Sequence, residues 1–267
     1  MRGLFARAKK KLTTWVVPEE QSPLAHFESR ERDVFIVSYP RSGNTWVRFL
    51  LANLICFEDG TPVDFHSVHR VIPDVVRETR PEVLQALPDP RLLKSHSTYD
   101  PRFRRVIYVV RDGRDVVVSY YHFLTGKGRF EGSFLDFLNA QDLKAGLWQE
   151  HVTSWLLNAD QASFLLVRYE DLHRQAASEV TRMARFIGLP CDQARLDWAI
   201  ENASFESMRK LESEKGRAFD ADSPSQMVRT GTVGGWRDHF EEVHKEAFKR
   251  HANRVLLQLG YAESEDW

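Results

Sequence analysis

The stretch VFIVSYPRSGNTWVRFLLANLI, Val34 to Ile55, runs four apolar residues into a tight polar turn and then into an apolar-periodic segment. That order reads as strand, loop, helix, the layout of a phosphate-binding loop. In its last part Val47, Leu50, Leu51, Leu54 and Ile55 recur at spacings of three and four, which puts them on one face of a helix. The loop holds a single glycine, Gly43, and lacks the GxxxxGK[ST] spacing of a nucleoside-triphosphate site. Free backbone N–H groups at the helix start, the helix dipole, the Ser42 and Thr45 hydroxyls and the Arg41 cation all favour an anion. Gly43 lets the backbone approach a phosphate. Taken alone, the loop also reads as an ordinary capped turn with Asn44 or Thr45 as N-cap.

Working outward, further short apolar runs at 33–38, 91–95, 105–110 and 163–168 read as strands, near-continuous rather than alternating, as in strands covered on both faces. Helical patterns follow near 46–55, 113–124, 133–139, 145–158, 174–187 (closed by Gly188), 192–201 and 240–258 (stopped by Gly260). Strands alternating with helices predict an α/β fold: a central parallel sheet with a P-loop-like strand–loop–helix and helices on both faces. Ligands in such sheets bind beyond the carboxyl ends of the strands, where the polar motifs of this chain fall. One domain over residues 1–267 is expected, with 1–25 as an N-terminal extension and 213–235 as a mobile loop of the lid or binding kind.

Three other motifs carry chemistry. RRVIYVVRDGRDVVVSYYHF is a second strand-to-helix junction, with Arg111 at the strand end and Ser119 nearly two turns into the helix; Asp112 and Asp115 are expected to cap it or pair with Arg114. RLLKSHSTYD ends a strand in Lys94-Ser95-His96, where a histidine is placed to act as a general base. MVRTGTVGGWRDHF follows a long polar stretch and brings Arg229, Gly231, Gly234, Gly235 and Trp236. It reads either as backbone wrapping an anion or as a turn-rich connection to the last helix.

Composition narrows the partners. With 42% hydrophobic and 28% charged residues the chain is globular, and a formal net charge of -1 provides no global basic field, so nucleic acid is not an expected partner. No apolar run reaches transmembrane length. The basic cluster Arg2, Arg7, Lys9, Lys10 and Lys11 reads as a solvated or surface-seeking helix. Two isolated cysteines, Cys56 and Cys191, suggest a reducing compartment, no zinc site and burial as small apolar residues.

The four motifs, in this order, resemble the sulfotransferase family that uses 3′-phosphoadenosine-5′-phosphosulfate (PAPS). The family's YPKSGTTW is YPRSGNTW here, its RNPKDVxVSxYHF is RDGRDVVVSYYHF, its KxH strand end is KSH, and its RKGxxGDWK-type loop is RTGTVGGW followed by Arg237. The resemblance covers about residues 34–240. It implies that Arg41, Ser42, Gly43, Asn44, Thr45 and Trp46 surround the 5′-phosphosulfate. On the same resemblance Arg111 and Ser119 would hold the 3′-phosphate, with Arg229, Thr230 and Gly231 closing over it and 213–235 lying over the cofactor and acceptor site. Tyr169, Ser204 and Phe205 would contact adenine, and His96 would be the base with Lys94 beside it. It also implies no metal, a small-molecule hydroxyl or amine acceptor, adenosine 3′,5′-bisphosphate (PAP) as product and a soluble, cytoplasmic enzyme. Three positions depart from the family: Arg41 and Thr230 stand where it has lysines, and Ala203 where it has a threonine. The departures keep open a non-catalytic binder of PAP; a P-loop nucleotide kinase is the remaining alternative. The dimer motif of cytosolic relatives is not evident, so the oligomeric state stays open.

Overall fold

The computed structural model describes Leu24 and residues 27–78, 80–140, 143, 145–217 and 231–267. Apart from Leu24, the expected N-terminal extension lies outside the described residues, as do Arg229, Thr230 and most of the 213–235 stretch.

Among the described residues, β1 (Val34–Val37), β2 (Leu92–Ser95), β3 (Arg105–Val110) and β4 (Ser163–Arg168) form one sheet in the order β2-β1-β3-β4, every neighbouring pair parallel. This is the parallel sheet the apolar runs predict. The chain leaves β1 for one neighbour and then crosses to the other, so the order reverses at β1. A crevice at the carboxyl ends follows from that reversal. Val37 is level with Ser95 of β2 and Tyr108 of β3, so the three strands deliver their outgoing loops to one place.

Side chains alternate across the sheet with the period of two that extended backbone imposes. Phe35, Val37, Leu93, Val106 and Tyr108 face one apolar layer, completed by α4 (Gly113–Thr125), α5 (Phe134–Asn139), α6 (Trp148–Leu156) and α10 (Glu242–Leu259). Val34, Ile36, Ile107, Val109 and Val167 face the other, closed by α1 (Asn44–Ile55), α7 (Tyr169–Ile187) and α8 (Gln193–Asn202). Helices therefore cover both faces, as expected. Fully burying one Leu or Phe side chain stabilises by about 1.5–3 kcal/mol, so the two layers, not helix propensity, hold α1 and α4 in place.

Several boundaries differ from the sequence reading. The helix expected over 174–187 begins at Tyr169, because a break at Gln175 (φ -148, ψ 53) joins two helical segments and only the second carries a clean apolar stripe. An unforeseen helix, α9 (Phe205–Lys215), enters the stretch expected as loop; only Met208 on it is buried, so it offers no periodicity to read. The short α2 (Val68–Val71) and α3 (Pro81–Gln85) were equally silent. Cys56 and Cys191 are free and half-buried rather than buried. Among the described residues no helix is long and apolar enough to cross a membrane.

Candidate active site

The loop after β1 is held by its backbone. Arg41 has φ 70, the only described residue other than glycine in the left-handed region, and Gly43 follows with φ 100. Such a conformation costs a non-glycine residue on the order of 1–3 kcal/mol. Gly43 is required for a second reason: a Cβ there would lie 2.5 Å from Cδ2 of Tyr169. Its missing side chain thus admits the Tyr169 ring, a role the sequence reading assigned to a phosphate.

Asn44 and Thr45 do not cap α1, contrary to one reading of the loop. Gly43 occupies the cap position without a side-chain bond, and α1 begins at Asn44. The Asn44 amide turns inward instead and donates to the Ile36 carbonyl at 3.1 Å and to Ser38 Oγ at 3.3 Å, pinning the helix start to β1. The first-turn N–H groups of α1 are left without a side-chain cap, and the buried Ser42 Oγ has no hydrogen-bond partner among the described residues. A buried orphan hydroxyl beside an uncapped helix start fits an anionic group.

The second junction meets this loop. Arg41 Nε donates to Ser119 Oγ at 3.1 Å, and its guanidinium lies 5.0 Å from the Phe123 ring centre. Arg111 donates to the Arg41 carbonyl at 3.4 Å and the Thr232 carbonyl at 2.8 Å, and stacks 4.4 Å from the Tyr169 ring centre. Its Nε is buried without a partner among the described residues. Asp112 caps α4 and pairs with Arg114 at 2.7 Å, as expected. Asp115 does neither: its carboxylate accepts from Gly234 N at 2.8 Å and Trp236 N at 2.9 Å and lies 3.7 Å from Arg111. It is the anchor of the fourth motif, which local spacing could not reveal.

Tyr169 OH donates to the Gly231 carbonyl at 3.1 Å, and Phe205 closes on the same glycine, where a Cβ would lie 2.7 Å from its ring. Trp46 and Tyr169 sit 5.6 Å apart with His173 against both, at 4.8 and 4.7 Å. His173 was missed; its signal was the spacing of four from Tyr169. The Ser204 hydroxyl caps α9, accepting from Ser207 N at 3.2 Å and donating to Ser207 Oγ at 2.8 Å, so it is committed to local structure.

At the end of β2, Lys94 is buried and its ammonium meets Asp74 Oδ2 at 2.5 Å. Burial pushes Lys94 down to about 8 even against the pull of Asp74. His96 Nδ1 lies 2.7 Å from the Ser38 carbonyl. A carbonyl accepts only, so Nδ1 carries the proton and Nε2 keeps its lone pair. Burial first, then the Lys94 ammonium, holds the His96 pKa well below the ordinary value, so the ring is neutral at pH 7. Behind it, His151 Nε2 donates to the His96 carbonyl at 3.2 Å and its Nδ1 accepts from Tyr108 OH at 2.9 Å. This buried brace, like Asp74, lay outside the sequence reading.

The carboxyl edge of the parallel sheet thus brings together an uncapped helix start with an orphan hydroxyl and a neutral histidine. The sequence profile of the sulfotransferase domain matches residues 31–260. Human Sulfotransferase 1C2 is 30% identical over 249 residues, 85% of this chain and 84% of that protein. Mouse Sulfotransferase 4A1 is 31% identical over 242 residues, 84% and 80% of the two chains. In fold, the chain is similar to mouse sulfotransferase SULT7A1 complexed with PAP (TM-score 0.69, 22% identity, 90% of each chain). It is also similar to retinol dehydratase in complex with androsterone and PAP (TM-score 0.69, 18% identity, 88% and 83%). The chain belongs to the sulfotransferase family, the enzymes that move a sulfuryl group from PAPS.

Proposed function

We propose that His96 takes the proton of a small-molecule hydroxyl or amine while Arg41 and the start of α1 stabilise the charge that grows on the departing nucleotide. The observation that carries this reading is the His96 Nδ1 contact with Ser38, which leaves Nε2 free to accept a proton at the sheet edge beside the loop. PAPS, when bound, supplies the sulfuryl group.

The chain's own residues divide the work. Arg41, Ser42, Gly43, Asn44, Thr45 and Trp46 hold the 5′ end, Arg111 and Ser119 the 3′-phosphate, and Tyr169, Phe205 and Gly231 the base. Orphaned Ser42 Oγ and Arg111 Nε support the two anion positions. The contacts of Gly231 with Tyr169 and of Thr232 with Arg111 support placing these two residues beside the nucleotide. A fixed donor aimed at developing charge is worth roughly 3–4 kcal/mol, and Arg41 supplies it without acting as an acid. The reading includes no metal, because that guanidinium and the helix start already provide positive potential. Sulfotransferase relatives and the androsterone in the retinol dehydratase structure support a small, partly apolar acceptor. The free thiols of Cys56 and Cys191 support a cytoplasmic location.

Calorimetry with PAP, alongside mass spectrometry of a panel of phenols, alcohols and amines incubated with PAPS, tests the reading. PAP binding with a sulfated product supports it. PAP binding with no product from any acceptor favours the non-catalytic binder, to which the engagement of Arg41 by Ser119 and Lys94 by Asp74 lends weight.

A further inference from the structure

The segment before Val75 runs beside the edge strand β2. Lys94 N donates to the Pro73 carbonyl at 2.8 Å and Val75 N to the Lys94 carbonyl at 3.0 Å, so Asp74 and Lys94 form an isolated parallel bridge. Their side chains then meet at 2.5 Å, both almost fully buried. Asp74 Oδ1 is fixed in turn by Val76 N at 3.0 Å. Backbone and side chain thus clamp the same pair two residues from His96. A buried ion pair is poor at stabilising a fold, since desolvation consumes most of its attraction. Its placement beside a base that must become charged suggests another use.

We propose that Asp74 is a positioning residue for the transfer: its carboxylate holds the Lys94 ammonium at the end of β2 and supplies the negative charge that favours proton uptake by His96. The inference rests on the base reading of His96. As the acceptor's O–H or N–H bond breaks, its proton passes to His96 Nε2, creating an imidazolium beside the Lys94 ammonium. Two cations at close range oppose each other, and Asp74 offsets that repulsion. The charged and titratable groups facing the cluster are Arg48 from α1, His69 from α2, Arg77 beside Asp74, Lys94 from β2 and His151 from α6. Arg48 is spoken for by the Val68 and Ile72 carbonyls and His69 Nδ1, and Arg77 lies 3.6 Å from Asp74. Among the described residues, Asp74 is the carboxylate paired with Lys94, and the bridge to β2 sets it two residues from His96 in register.

The test titrates histidine-labelled full-length protein by NMR, as wild type and as D74N, and follows turnover with 2-naphthol as a phenolic probe. D74N is expected to move the His96 midpoint further down and to lower kcat at least about tenfold. PAP affinity stays within about threefold, because the nucleotide contacts are elsewhere. A His96 midpoint unchanged in D74N overturns the inference. If D74N does not fold, D74E keeps a carboxylate for Lys94 and is expected to leave the His96 midpoint and kcat within about threefold of wild type, whereas a folded D74E with the His96 midpoint moved well down and kcat lost overturns the proposal. H96Q separates the two levels of the argument. Full kcat in H96Q removes the base assignment and this inference with it, whereas an inactive H96Q with a D74N that titrates as wild type removes this inference alone.

Discussion

Arg41 Nε donates to Ser119 Oγ across 3.1 Å, joining the loop after β1 to the second turn of α4. Two motifs lying 78 residues apart therefore share one guanidinium. Arg111 adds a third tie by donating to the Arg41 carbonyl. The two proposed anion positions are therefore joined, and substitutions should show it.

If Arg41 is the donor to the departing nucleotide, as proposed, Arg41→Ala is expected to lower kcat by about 10²–10³-fold. Arg41→Lys keeps a cation on a flexible stem and retains most of the rate. Ser119→Ala removes one hydrogen bond, worth about 0.5–1.5 kcal/mol, so PAP binds roughly two- to tenfold more weakly. Steady-state kinetics and calorimetry on the three variants check this pattern.

Gly43→Ala places a Cβ at φ 100 and 2.5 Å from the Tyr169 ring. Backbone strain alone costs on the order of 1–3 kcal/mol, and the displaced ring adds to it. Denaturant unfolding should show that loss, and PAP affinity should fall with it, because Tyr169 also carries Arg111 and Gly231.

Asp115→Asn replaces a carboxylate that receives two backbone N–H groups, at 2.8 and 2.9 Å. Hydrogen bonds to a charged acceptor are worth about 1.5–3 kcal/mol each, and an amide has only one acceptor oxygen. Hydrogen exchange at the Gly234 and Trp236 amides is expected to quicken in D115N while amides of β1 and β3 stay protected. Unchanged exchange at both would remove Asp115 as the anchor.

The pH dependence follows from the signs of two depressed pKa values. His96 is held below its ordinary value, so the unprotonated form that the proposed base role needs persists as pH falls through 6.5. Lys94 is pushed down to about 8, so its ammonium is lost well before the ordinary lysine value of 10.5. Because the Lys94 ammonium opposes a charged His96, its loss above about 8 does not by itself slow the step; a kcat/KM profile level from mildly acidic pH up to about 8, with no limb at 6.5, is expected. An acid limb at 6.5 would contradict the reading of His96 as a base held below its ordinary value.

The sheet, β1 and α1 were legible because apolar runs and their periodicity are local properties of the chain. His96 and Arg111 were legible because they end such runs. Asp115 was misread because the chain offers Arg114 next door, whereas its true partners lie 119 and 121 residues away. Asp74 carried no local pattern at all; only the bridge to β2 brings it to Lys94. The segment that starts α7 was hidden by the break at Gln175, and with it the reason Tyr169 and His173 share a face.

The central claim is that His96 is the base of a sulfuryl transfer. It is tested most directly by single-turnover conversion of PAPS to PAP with an accepted hydroxyl or amine compound, comparing wild type and His96→Ala at pH 7. The account predicts a loss of about 10²–10⁴-fold in His96→Ala, with PAP affinity and unfolding midpoint unchanged. A His96→Ala protein of native stability that turns over at the wild-type rate contradicts it.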